Sequence, residues 1–238
     1  MNDRTKTHPD RPATNPTGPG PLPMIMVGIT LLVLVVVIGV VALQAGASGP
    51  GDAAAPAQPA GLDPPPEGLE VLPFEGVDQL GRPVDESVLD GSYTVVSFGF
   101  TNCTLACPIM HGNMFTLTKR LANTPVRFLT ISVDPVHDTV EQLKAYSDRL
   151  EADPERWRFV RTDAETSKRL VEQGLRMGLE EDPATVIELP GGGSMVNIIH
   201  PTRFVIVGPD GEVAGLYPGM SPEGVDELVR DLRAELTG

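Results

Sequence analysis

Residues 93–108 read YTVVSFGFTNCTLACP, and this segment joins a predicted buried strand to the only two cysteines of the chain. Residues 93–100 are apolar and rich in β-branched and aromatic side chains, which is typical of a buried strand. Residues 105–122 predict a helix that begins at the cysteines. Cys103 and Cys107 are four positions apart, a spacing that places two helical side chains on one face with Cβ atoms about 5–6 Å apart. The pair therefore predicts a reactive dithiol or a soft-metal site where a strand meets a helix.

The sequence on either side of this segment predicts alternating strands and helices. Asp138 is the predicted N-cap of the second helix. Residues 178–199 interrupt the alternation and contain three consecutive glycines, which predicts an inserted small hairpin that carries His200 to the cysteines. The other predicted elements are an early hairpin at 72–84, strands at 126–133 and 157–161, helices at 139–150 and 164–177, a hairpin of 203–207 with 212–217, and a closing helix at 222–236.

Composition excludes several classes of protein. The 238 residues carry a net charge of −14, with 32 acidic and 18 basic side chains, which argues against nucleic acid or an anionic lipid surface as the main partner. Two cysteines are too few for a scaffold built from disulfides, and a bond across four positions would close too short a loop to stabilise the fold. The cysteines are therefore interpreted as reactive.

Met24–Leu43 is a run of twenty residues without a charge, long enough as a helix to cross the roughly 30 Å hydrocarbon core of a bilayer. The preceding tail, residues 1–23, contains three basic residues, which predicts a cytoplasmic N-terminus and an extracytoplasmic domain on the cell (inner) membrane. A long signal sequence cleaved near Ala45–Ala47 is the alternative. Residues 44–68 are rich in Ala, Gly and Pro and predict an extended linker, followed by one domain at 69–238.

Three ordered motifs narrow the fold to one family. They are FGFTNCTLACP at 98–108, SVDPVHDT at 132–139, and HPT at 200–202 followed by VIVGPDG at 205–211. The order of elements resembles the thioredoxin fold, and the motifs resemble the Sco/SenC family of copper-handling proteins over about residues 70–237. One departure is that Thr104–Ala106 is neutral, whereas many family members have an acidic residue between the cysteines.

The resemblance implies a metallochaperone rather than an enzyme, with Cys103, Cys107 and His200 as copper ligands. It also implies delivery of copper to the binuclear copper centre of cytochrome c oxidase, and a copper donor or reductant protein as a second partner. The residue types agree with this, because Cu(I) is soft and accepts two thiolates and an imidazole. Structural zinc normally takes four protein ligands, so it fits the set less well.

Two other functions use the same residues. A thiol-disulfide oxidoreductase would attack with one cysteine thiolate and resolve with the other, with no need for His200. A thiol peroxidase or redox sensor is the third hypothesis.

The remaining histidines and methionines receive structural interpretations. His111 lies on the face of the cysteines and is predicted to be a packing or site-rim residue. Met110 and Met114 are predicted to lie in the hydrophobic core. Auxiliary ligation by these three residues stays open, and so does a contact of Met195 with the metal. His8 and His137 are assigned to the tail and to a loop. Asp134 and Asp138 most simply make a turn and a helix cap, although their place in the family motif suggests that they help shape the site.

Overall fold

A computed structural model describes residue 62 and residues 64–237 of the chain. The predicted tail 1–23, the predicted anchor 24–43 and most of the predicted linker 44–68 lie outside the described residues. Within the described part, no helix has both the length and the apolar character needed to cross a bilayer.

The described residues form nine strands and four helices. The strands are β1 (Glu75–Asp78), β2 (Pro83–Asp85), β3 (Thr94–Gly99), β4 (Arg127–Ser132), β5 (Trp157–Arg161), β6 (Glu180–Glu188), β7 (Ser194–Ile199), β8 (Arg203–Val207) and β9 (Val213–Pro218). The helices are α1 (Ala106–Arg120), α2 (Val140–Arg149), α3 (Ala164–Arg169) and α4 (Pro222–Thr237), with a 3-10 turn at Glu86–Leu89 and a π turn at Leu170–Gly174.

Seven strands form one mixed sheet in the order β2-β1-β5-β4-β3-β8-β9. The central strands β3, β4 and β5 are parallel, and α1 and α2 connect them as two consecutive βαβ units. The hairpin of β8 and β9 adds antiparallel strands beside β3, and the hairpin of β1 and β2 adds antiparallel strands beside β5. The predicted α/β class with an early and a late hairpin is confirmed.

The two faces of the sheet bury separate apolar clusters. Adjacent strand residues point to opposite faces, so Val95 packs with Met114 of α1 and Leu228 of α4. Val96 packs on the other face, in the cluster that includes Leu170 and both cysteines. Burial of each large aliphatic side chain contributes roughly 1.5–3 kcal/mol. Strand β3 is buried on both faces, which explains its continuous apolar sequence.

The inserted segment forms the predicted hairpin. Strands β6 and β7 make a separate two-stranded antiparallel sheet, in which Glu180 pairs with Ile199 and Glu188 with Ser194. Two glycines of the connecting turn, Gly192 and Gly193, have φ angles of 90° and 85°, a region that glycine adopts without steric cost. The hairpin ends at Ile199, so it delivers His200 directly.

The predicted N-cap of α2 is wrong by one residue. Thr139 has the extended backbone of a cap, and its hydroxyl accepts a hydrogen bond from the Gln142 amide at 3.3 Å. Asp138 is instead fully buried, with hydrogen bonds to residues of two other segments. The hydrogen bonds of the Asp138 carboxylate to distant residues therefore replace the capping interaction that the local sequence predicts.

The predicted third helix, 164–177, is also too long. The α-helical part ends at Arg169, and a wider π turn follows, in which the Leu175 amide donates to the Leu170 carbonyl at 3.0 Å. Gly174 permits the close approach of Glu70 at this turn, because a Cβ added at position 174 would lie only 2.6 Å from the Glu70 carbonyl oxygen. The Glu70 amide donates to the Gly174 carbonyl at 3.0 Å, so the arriving chain takes the space of one more helical turn.

Two helical glycines predict opposite responses to alanine. A Cβ at Gly224 of α4 would lie 2.2 Å from the Pro218 carbonyl oxygen, whereas a Cβ at Gly112 of α1 would meet nothing within 4 Å. We expect Gly224→Ala to lower the free energy of unfolding by roughly 1–3 kcal/mol. Gly112→Ala should raise it by about 0.5–1 kcal/mol, because alanine restricts the unfolded chain. Urea unfolding curves of both variants measure this, and equal effects would contradict it.

Candidate metal centre

The end of β3 and the first turn of α1 position both cysteines. The Cys103 amide donates to the Phe100 carbonyl at 3.2 Å in a tight turn, and Cys107 is the second residue of α1. The Cys107 amide donates to the Cys103 sulfur at 3.3 Å. Because the N-cap residue Leu105 offers no side-chain acceptor, the sulfur of Cys103 occupies the acceptor position that a capping oxygen normally takes.

His200 completes the site from the opposite side. Its Nε2 atom lies 3.4 Å from the Cys107 sulfur and 3.7 Å from the Cys103 sulfur. Its Nδ1 atom lies 3.1 Å from the Pro201 carbonyl oxygen. A carbonyl only accepts, so Nδ1 carries a proton, and Nε2 is the ring nitrogen that faces the sulfurs and can offer its lone pair to a metal. The sequence did not determine which ring nitrogen faces the site.

The donor atoms of Cys103, Cys107 and His200 all lie within 4.8 Å of one another, close enough to share one metal ion. Their exposed fractions are 7%, 0% and 6%. Two sulfurs and one imidazole nitrogen form a soft donor set, which suits monovalent copper and does not suit magnesium or calcium. The three residues singled out in the sequence therefore meet in one buried cluster.

The two thiols titrate as a coupled pair. The hydrogen bond from the Cys107 thiol lowers the pKa of Cys103 far below its usual range, with further support from His200 and from the amides of Cys107 and Leu105. That same bond, together with burial, raises the pKa of Cys107. The pair therefore loses its first proton easily, from Cys103, and holds its second at Cys107.

Asp138 has a positioning role at the site, in agreement with its place in the family motif. Its carboxylate accepts from the Thr101 amide at 3.0 Å, from the Thr101 hydroxyl at 2.6 Å and from the Ser132 hydroxyl at 2.5 Å. Burial raises the pKa of Asp138, and these hydrogen bonds oppose the rise. The acid thereby ties the loop after β4 to the residues just before Cys103. No local pattern identifies these partners, because they are 37 and 6 positions away.

His111 lies in the core next to the site. Its Nδ1 atom is 2.7 Å from the Tyr146 hydroxyl, and its ring lies against Tyr146, Trp157 and Phe159. Burial lowers the pKa of His111 to about 4, so the ring is neutral near pH 7. Its Nε2 has no partner among the described residues. The prediction of a packing residue agrees with this placement.

The other singled-out residues lie away from the three donors or serve the core. Met110 and Met114 are buried in the cluster on the α1 face of the sheet, as predicted. Met195 is partly buried against the cluster that contains the cysteines. His137 pairs with Asp134 in the loop after β4, at 2.8 Å. His8 lies outside the described residues.

Comparisons with known proteins agree with this architecture. The SCO1/SenC family profile matches residues 63–237. A SCO1 protein homolog of Bacillus subtilis is 32% identical over 174 residues, which are 72% of this chain and 86% of that relative.

Solved structures share the fold. A SCO1/SenC family lipoprotein from Bacillus anthracis is 27% identical, with a TM-score of 0.59 over 71% of this chain and 96% of that one. BsSco, described as a member of the Sco family of cytochrome c oxidase assembly proteins with a disulfide switch, is 29% identical, with a TM-score of 0.59 over 74% and 98%. Yeast Sco1 with copper bound is 22% identical, with a TM-score of 0.55 over 70% and 90%, a likeness of fold alone.

The profile match covers the whole described domain, and the matched region includes both cysteines and His200. This chain belongs to the SCO1/SenC family.

Proposed function

We propose that this protein is a copper metallochaperone that binds one copper ion through Cys103, Cys107 and His200 and delivers it to the binuclear copper centre of cytochrome c oxidase. The observation that carries the proposal is the convergence of two sulfurs and the Nε2 lone pair of His200 within 4.8 Å. Membership of the SCO1/SenC family supports the choice of metal. In the same proposal, residues 24–43 anchor the domain on the outer side of the inner membrane.

The donor set suits a cargo that must leave again. Three protein ligands keep a monovalent copper ion stable and leave one side open to a ligand from the acceptor. Cys103 offers a thiolate at neutral pH without further activation. Cys107 is a protonated thiol until the metal displaces its proton. Binding and release do not turn over a substrate, so the protein acts by stoichiometric transfer rather than as an enzyme.

A thiol-disulfide oxidoreductase that reduces cysteines of a partner is the second candidate. The same pair favours it, because an ionised Cys103 next to a protonated Cys107 supplies a nucleophile and a resolving thiol. The disulfide switch described for BsSco lends further support. His200 distinguishes the two functions, because disulfide exchange does not need its lone pair.

Copper binding tests the first candidate. We expect the reduced protein to bind one equivalent of Cu(I) in an anaerobic titration against a competing chelator. Cys103→Ser, Cys107→Ser and His200→Ala should each weaken binding by at least about tenfold, because each removes one of three ligands. His137→Ala is the matched control, since it removes an imidazole outside the cluster. Binding that is indifferent to His200 would contradict the three-ligand site.

The coupled thiols predict the pH dependence of that affinity. The pKa of Cys103 is lowered and the pKa of Cys107 is raised, so copper displaces one proton rather than two near neutral pH. The apparent Cu(I) affinity should therefore rise about tenfold per pH unit. Titrations at several pH values, corrected for protonation of the chelator, measure the slope. A slope near one hundredfold per unit would mean that both thiols are protonated before binding.

A cellular assay separates the two candidates. In host cells that lack their own copy of the gene, we expect His200→Ala to lose cytochrome c oxidase assembly as fully as either cysteine variant does. Oxidase activity in membranes is the measurement. If His200→Ala restored activity fully while Cys103→Ser and Cys107→Ser did not, the thiol-disulfide function would replace the copper function.

A further inference from the structure

Five exposed apolar side chains lie on the segments that surround the metal centre. We propose that they form the docking surface for the protein that receives the copper, an inference that rests on the proposed function. The five residues are called the apolar rim: Leu105, Ile109, Val136, Ile199 and Met220. Their exposed fractions are 64%, 49%, 76%, 54% and 37%.

Most of the exposed large apolar side chains belong to the apolar rim. In the described part of the chain, seven large apolar side chains are exposed, and only Leu80 and Val186 lie outside the rim. Single exposed apolar residues are ordinary on protein surfaces. A group of them around a functional site instead marks an interaction surface.

The first turn of α1 supplies two members of the rim. Leu105 directly precedes α1 and Ile109 lies in its first turn, four positions later, so their side chains are neighbours on the helix surface. They flank Cys107, which lies midway between them in the sequence and is fully buried. Any molecule that reaches the cysteines along α1 therefore contacts these two side chains.

The other three members lie on segments that adjoin the site through hydrogen bonds or through the chain itself. The loop that carries Val136 is tied to Thr101 by the Asp138 carboxylate. Ile199 directly precedes His200 at the end of β7. Met220 follows Gly219, whose carbonyl accepts from the Asn113 side chain of α1 at 2.8 Å and whose amide donates to the Thr202 carbonyl at 2.9 Å.

The segments that carry the three ligands are free of charged side chains, in contrast to the whole chain. Residues 99–118, 189–202 and 213–222 contain no Asp, Glu, Lys or Arg, although the chain carries a net charge of −14. The two acids of the adjoining loop, Asp134 and Asp138, are buried. Glu180 of β6, which pairs with Ile199, is exposed. The surface therefore fits an apolar segment better than an acidic one.

Burial of the ligands specifies the occupant further. With 7% or less of each ligand exposed, copper leaves only when a donor atom of the acceptor reaches it directly. Cu(I) is soft, so a sulfur donor is best able to take it from two sulfurs. The occupant is therefore an apolar protein segment that presents a thiol next to the rim. Copper keeps its oxidation state in the exchange. A bond to the acceptor sulfur forms as a bond to Cys107 breaks, and the proton of the acceptor thiol passes to Cys107.

Association without metal tests the proposal. The probe is the soluble copper-bearing domain of cytochrome c oxidase, reduced and metal-free, titrated with the reduced full-length protein in detergent. We expect Ile109→Asn with Val136→Asn to raise the Kd at least about tenfold. The control Leu80→Asn removes a similarly exposed apolar side chain outside the rim, and it should leave the Kd unchanged. Raising the salt from about 50 mM to about 500 mM should change the Kd less than about twofold.

Several results would overturn the docking surface. They are no association with the domain, an unaffected Kd in the rim variant, an equal loss in Leu80→Asn, or strong weakening by salt. Two further results count against it when the rim variant still binds the domain normally. Loss of a dimer in the rim variant would assign the rim to self-association. Loss of binding to neutral-lipid vesicles would assign it to the membrane.

The same samples keep the two proposals apart. The rim variant should bind Cu(I) as tightly as the original protein. Absence of copper binding in the original protein would remove the metallochaperone function while the association result stays readable. Normal copper binding with rim-independent association would remove the docking surface alone.

Discussion

The close approach of the Cys107 sulfur to Gly99 is the contact on which the site depends. A Cβ at Gly99 would lie 2.8 Å from this sulfur and 3.4 Å from the Nε2 atom of His111. Only a residue without a side chain lets the first turn of α1 settle onto the end of β3. That placement puts the Cys107 amide against the Cys103 sulfur and the Cys107 sulfur against His200. Gly99 therefore sets the distance between β3 and α1, and through Cys107 the contact with His200.

The electrostatics of the site follow from the same contact. Two thiols so close together and so buried do not ionise independently, so one carries the negative charge and the other keeps its proton. The amide at the start of α1 and the neighbouring imidazole stabilise that single thiolate. Asp138 lies outside this pair and holds the preceding turn by hydrogen bonds to Thr101.

Much of the fold could be predicted from local sequence. Strands β3, β4 and β5 are short apolar runs with clear boundaries, and the hairpin of β8 and β9 turns at the GPDG segment, as its composition indicates. The errors arose where a distant segment binds the side chain or backbone group on which the local prediction relied. Asp138 is recruited by Thr101 and Ser132 rather than by α2, and the third helix gives way where Glu70 meets Gly174. Such contacts join distant positions, so no local window contains them.

The sequence by itself determined the α/β class and the inserted hairpin, because strand composition and turn glycines are local properties. Through the resemblance to the family, it also predicted Cys103, Cys107 and His200 as the donor residues. It also determined the family, through three ordered motifs. Only the tertiary structure decided that Nε2 of His200 faces the sulfurs, since that depends on the Pro201 carbonyl holding Nδ1. It alone placed the charged form on Cys103 and gathered the apolar rim, because both result from the convergence of segments that are far apart in the chain.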